Sequence, residues 1–80
     1  MFALYYIFTE DHETKEQLLA VSASIDSLMN YAREDAFGKG CDEVTDFEQC
    51  GNGYIARVTF NDDCDTMHAK YLIEHVVLVV

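Results

Sequence analysis

Only one segment of the chain has a helical period, and it is flanked on both sides by segments that read as strands. Ile25, Leu28, Met29, Ala32 and Ala36 fall at offsets 0, 3, 4, 7 and 11, an apolar stripe down one side of a helix. Ser24 stands where a hydroxyl can cap the first turn, and Asp26 places a negative charge near the positive end of the helix dipole. Gly38 or Gly40 can adopt the left-handed conformation that stops a helix. One such helix cannot cover both faces of a sheet. At 80 residues the chain has room for a single two-layer core.

The remaining segments are extended in character. Phe2–Phe8 is apolar on both strand faces and rich in aromatic rings, as a central strand should be. Gln17–Ala23 reads as the return arm of a hairpin after the polar stretch Glu10–Lys15, although Leu18 and Leu19 would also suit a helix. Glu43–Cys50 reads as a further strand, Gly51-Asn52-Gly53 as a tight turn, and Tyr54–Phe60 as the returning strand with Tyr54, Ala56, Val58 and Phe60 on one face. Asn61–Thr66 is loop-like, and Ala69–Val80 ends in a β-branched run suited to a final strand. The expectation is one α+β domain over residues 1–80, in the order ββαβββ. It is a two-layer sandwich with a mainly antiparallel sheet of about five strands and one helix on one face. The first and last strands are apolar on both sides, so a second copy or a protein partner is expected over the other face.

Several chemistries find no support in the residues. The apolar runs Phe2–Phe8 and Val76–Val80 are far shorter than the ~20 residues of a membrane span. Phe2–Phe8 also runs into Glu10-Asp11 without the basic start or small-residue cleavage site of a signal peptide. Three cysteines, Cys41, Cys50 and Cys64, cannot close a disulfide framework in a monomer, and free thiols fit a reducing cytoplasm. Cys64 and His68 have a spacing usable by zinc, and Cys41 and Cys50 would complete a four-ligand set. No Cys-x-x-Cys pair preorganises such a site, so no metal is expected. The Asp62-Asp63-Cys64-Asp65 run lacks the spaced ligands, central glycine and terminal glutamate of a calcium loop. Ser22, Ser24 and Ser27 sit at strand and helix ends, and no nucleophile elbow or phosphate-cradling glycine loop occurs. Neither an enzyme nor a cofactor is expected.

Charge is the feature left to explain. Fifteen Asp and Glu against five Lys and Arg give a formal charge of −10, which disfavours direct contact with nucleic acid or anionic lipid. The acids cluster. Glu10, Asp11, Glu13 and Glu16 form one group, Glu34, Asp35, Asp42, Glu43, Asp46 and Glu48 a second, and Asp62, Asp63 and Asp65 a third. On one continuous strand, Asp42, Asp46 and Glu48 would share a face with Val44 at ~6.6 Å intervals. A carboxylate row of that kind can occupy sites shaped for phosphates, which repeat every ~3.4 Å of axial rise along a duplex strand. The competing reading is that a negative surface serves solubility alone. Most tyrosines belong to the core, with one or two available as interface anchors.

In its size, its opening Tyr5-Tyr6-Ile7-Phe8-Thr9-Glu10-Asp11, its single helix Ser24–Phe37 between strands and its acidic clusters, the chain resembles the small acidic inhibitors carried by phages, the anti-CRISPR proteins in particular. Several of these occupy the DNA-binding surface of a CRISPR effector. The resemblance implies such a role here, in the cytoplasm of a bacterial host and without catalysis. The charge clusters nominate Glu34, Asp35, Asp42, Glu43, Asp46, Glu48, Asp62, Asp63 and Asp65 as the partner-binding residues. The partner would be a basic nucleic-acid channel, with Lys and Arg that normally hold DNA. Two other readings stand beside it: a small homodimeric module that sequesters a ligand or regulates through its apolar sheet face, and an acidic antitoxin-like partner of a basic protein.

Overall fold

A computed structural model of the chain describes residues 1–61 and 65–77. Its first two strands, β1 (Phe2–Glu10) and β2 (Glu13–Ser22), form a hairpin whose two turn residues, Asp11 and His12, both have positive φ, 53° and 66°. Two left-handed residues in succession match the right-handed twist of the flanking strands, so the hairpin can be this tight. Helix α1 follows over Ile25–Gly38, with Ser24 as its cap: the Ser24 hydroxyl accepts the Ser27 N–H at 3.2 Å. It ends where Gly40 takes φ 79°. There the Cys41 N–H donates to the Ala36 carbonyl and the Gly40 N–H to the Phe37 carbonyl, which closes the last turn.

The chain then returns to the sheet through β3 (Glu43–Val44), β4 (Glu48–Cys50), β5 (Gly53–Asn61) and β6 (Thr66–His75). All pairings are antiparallel, in the order β2-β1-β6-β5-β3, with β4 also alongside β5. Over the described residues the fold is thus α+β, with one helix and an open antiparallel sheet. The strand that opens the chain is an inner one, as its two-sided apolar character requires. At the β4–β5 turn Gly51 holds φ 60°, the left-handed first position of a two-residue hairpin turn.

Leu4 and Tyr6 of β1, Tyr71 and Ile73 of β6 and Val58 of β5 meet Leu28, Ala32 and Ala36 of the helix in one buried cluster. Alanines at two of the three helix positions let the helix sit close to the sheet. The Tyr6 and Tyr71 rings pack at 5.1 Å between centroids, and Tyr6 stacks on Phe8 at 5.3 Å.

Three details depart from the sequence reading. The sheet has six strands rather than five, because the expected strand Glu43–Cys50 is two short ones separated by Thr45–Phe47. The cause is the spacing of its apolar residues. Val44 and Phe47 both pack toward the helix side, yet they are an odd number of residues apart, and a regular strand would send them to opposite faces. One extra residue resolves the conflict: Val44 pairs with Val58 and Glu48 with Ile55, so four steps on one strand match three on the other. Secondly, β2 begins at Glu13, earlier than the apolar pattern suggested, because the Asp11-His12 turn leaves no room for a longer loop. Thirdly, β6 begins at Thr66 and ends at His75; Val76 and Val77 follow it outside the strand, and the rest of the expected run, Leu78 to Val80, lies outside the described residues. Among the described residues, no helix is long and apolar enough to cross a membrane.

Candidate functional site

The break between β3 and β4 also breaks the expected carboxylate row. Asp42, Glu43, Asp46 and Glu48 do not line one face of one strand. Glu43 pairs with Thr59 and Glu48 with Ile55, which places both on the sheet face away from the helix. Asp46 lies in the intervening bend and turns toward the helix, where Arg33 comes within 3.6 Å of its carboxylate. The bend itself is pinned to β5 by Thr45, whose N–H donates to the Arg57 carbonyl and whose hydroxyl accepts the Arg57 N–H, each at 2.9 Å. Asp42 secures the other end of β3: its carboxylate accepts the Asn61 N–H at 2.5 Å, and its own N–H donates to the Thr59 carbonyl. Asp42 therefore joins the second acidic group to the end of β5, and exposed Asp65 lies one residue before Thr66, which pairs with Asn61. Asp62 and Asp63, also expected to bind a partner, lie outside the described residues, as does Cys64.

The helix carries the other two acids of this group, and they differ. Glu34 is exposed. Asp35 is partly buried: it accepts the buried Tyr71 hydroxyl at 2.7 Å and pairs with Lys39, whose ammonium lies 4.7 Å from the centre of the Tyr6 ring. Burial, the hydrogen bond to Asp35 and the negative charge of Asp35 push the Tyr71 phenol well above its ordinary range; burial and the same charge push Tyr6 up. Both tyrosines thus stay neutral, and Asp35 is committed to accepting the Tyr71 hydroxyl. Sequence spacing could not reveal this, since Asp35 and Tyr71 are 36 positions apart.

Among the described residues, exposed carboxylates gather in two places, Glu10, Asp11, Glu13 and Glu16 at the β1–β2 hairpin and Asp42, Glu43, Asp46 and Glu48 along the β3–β4 edge. The side chains of Asp46 and Glu48 are 97% and 76% exposed although each has an arginine within 4.0 Å, so neither pairing screens it from a partner. Phe37, one helical turn beyond Arg33, is 65% exposed and stands on the same flank of the helix. Tyr31, on a neighbouring stripe beside Glu34, is 45% exposed. These two rings had not been singled out as anchors by the sequence pattern, because their exposure depends on how the helix is turned on the sheet.

Among the described residues no three His, Cys, Asp or Glu side chains converge on a metal-sized site, and Cys41 and Cys50 are free thiols. The depressions in the surface are shallow. The one on the sheet face away from the helix is lined by Ile7, Thr9, Arg57, His68 and Lys70, a local concentration of cationic side chains in an acidic molecule. Comparison with protein-family models, with curated proteins and with solved structures gave no match to this chain.

Proposed function

We propose that this chain is a non-enzymatic inhibitor of the anti-CRISPR kind, acting in the bacterial cytoplasm by covering a basic nucleic-acid-binding surface of a CRISPR effector and so blocking DNA recognition. The observation that carries the reading is the pairing of exposed carboxylates with an exposed ring: Asp46 and Glu48 open to solvent on the β3–β4 edge, and Phe37 on the adjoining helix flank. A phosphate-binding channel offers Lys and Arg to the former, and a desolvated aromatic anchor supplies affinity that rim charges alone do not. Glu34, Glu43 and Asp65 extend the negative surface, Asp42 shapes it through Asn61, and Asp35 supports it from inside by fixing the helix on Tyr71. Asp62 and Asp63 belong to the same acidic stretch of sequence as Asp65.

The test uses guide-loaded effectors of several CRISPR types, each mixed with target DNA and stoichiometric protein, with DNA binding read by mobility shift. One effector is expected to lose its DNA, and rising salt is expected to weaken its hold on the inhibitor. Replacing Glu43, Asp46 and Glu48 together by their amides should cost several kcal/mol of binding, at ~1.5–3 kcal/mol for each charge-assisted hydrogen bond. Undiminished DNA binding by every effector would overturn the proposal.

A further inference from the structure

The sheet face opposite the helix has a pattern that the inhibitor reading does not use. Register fixes two rows across its four long strands. Leu18, Tyr5, Leu72 and Ile55 form one row over β2-β1-β6-β5, and Glu16, Ile7, Lys70 and Arg57 form the next, two residues along each strand. Neither row touches the core cluster, whose members come from the alternate positions of the same strands. The first row is apolar from end to end, with Leu18 56% exposed. The second has an acid at one end and two bases at the other.

We propose that this face docks a second copy of the same chain, sheet against sheet, across a two-fold axis parallel to the strands and lying between β1 and β6. Such an axis lays β2-β1-β6-β5 of one copy over β5-β6-β1-β2 of the other while keeping each row opposite itself. Leu18 then faces Ile55 and Tyr5 faces Leu72, twice each. Glu16 faces Arg57 and Ile7 faces Lys70, also twice each, so the opposed ends of the second row become complementary. The aliphatic stem of Lys70 lies over Ile7, and its ammonium reaches toward the neighbouring Glu16 of the second copy. The pattern is self-complementary about this axis, as a symmetric interface requires. Face-to-face sheets pack ~10 Å apart with a rotation of about 30°, a separation that Glu and Arg side chains can bridge. Among the described residues the acidic partner of Arg57 is Glu48, at 4.0 Å, which it can exchange for Glu16 of the second copy. The exposed Asp46 and Phe37 belong to the helix side and stay open, whereas Glu43 and Glu48 share the docking face at its β3–β4 margin, beyond β5.

Sedimentation equilibrium at high micromolar concentration, near 0.15 M salt where charges are screened beyond ~8 Å, tests the arrangement. The wild type is expected to be a dimer. Reversing one charge, Glu16→Arg or Arg57→Glu, should weaken it about tenfold, and combining the two reversals should restore most of the loss, because the pairs re-form with opposite polarity. Both residues are exposed, and unchanged circular dichroism checks the fold of each variant. Leu18→Glu, at an exposed position of the apolar row, should give a monomer. A wild type that stays monomeric, a dimer indifferent to the single reversals, or a double reversal no tighter than the singles would each overturn the proposal. Effector binding is measured separately: Arg57 lies beside Glu48 of the proposed inhibitor surface, whereas Glu16 and Leu18, at the opposite edge of the sheet, report on the dimer alone.

Discussion

Leu72 and Ile73 are neighbours in β6, yet they belong to two different surfaces. Ile73 is fully buried against the helix, in a layer of Leu, Val, Tyr and Ala side chains without a gap for solvent. Leu72 points the other way, half-buried between Tyr5 and Ile55. The covered face is specified by shape: small alanines on the helix, large rings on the sheet, and one carboxylate to satisfy one buried hydroxyl. The open face is specified by order across strands, an apolar row beside a charged one. A sheet that is apolar on both sides but has one helix must leave such a face to another molecule. The comparison also shows that the net charge of −10 describes the edges and loops rather than the sheet centre, where Arg57 and Lys70 stand side by side.

The contrast is sharpest in a pair of truncations. Ile73→Ala should destabilise the fold by about 3–4 kcal/mol through lost burial and a cavity under the helix, whereas Leu72→Ala should cost about 1 kcal/mol in the monomer. Urea denaturation of dilute protein measures both. Equal costs would mean that the two faces are equally packed. Next in size is Asp35→Ala, which strands the buried Tyr71 hydroxyl and should cost about 2 kcal/mol, most of it recovered in the Asp35→Ala/Tyr71→Phe double variant. An unrecovered loss in the double variant would show that Asp35 acts through Lys39 alone.

The same pair predicts an alkaline limit. Tyr71 is a phenol whose folded value lies above its unfolded value of ~10, so only the unfolded chain loses this proton as pH first rises past ~10. Stability is full below that point and falls above it, by about 1.4 kcal/mol per pH unit for each such group. Tyr6 shifts in the same direction and adds to the fall. Stability measured across pH 9 to 11 (~10 being the tyrosine range) should decline less steeply in Tyr71→Phe than in the wild type. The smallest effect belongs to the acidic edge: Asp46→Asn should change stability by less than about 0.5 kcal/mol, since its exposed pair with Arg33 contributes little.

Much of the covered face was legible in the sequence, because its signals are local. Ser24, the stripe from Ile25 to Ala36 and Gly40 mark the helix from end to end, and Gly51-Asn52 marks the second hairpin. The central position of β1 followed from its unbroken apolar run. What could not be read depends on register. The bend at Thr45–Phe47 follows from Val44 and Phe47 facing the same side, which no pattern states until the core is known. The rows of the open face need pairings between residues far apart in sequence, such as Ile7 with Lys70, and a bulge near Leu19 that shifts β2 by one residue. The roles of Asp35 and Asp42 were hidden for the same reason: among clustered acids, sequence does not distinguish a carboxylate that satisfies a buried donor from one open to a partner.

The division between the two surfaces is tested most directly by amide and side-chain NMR of one labelled sample in two titrations. Raising the protein concentration alone should shift the signals of Tyr5, Ile7, Ile55 and Leu72 and leave Phe37 and Asp46 in place. Adding the effector whose DNA binding is blocked should shift Phe37, Asp46 and Glu48 and leave the centre of the open face in place. Shifts of the open-face rows by effector, or of the Phe37 and Asp46 flank by concentration, would contradict the account.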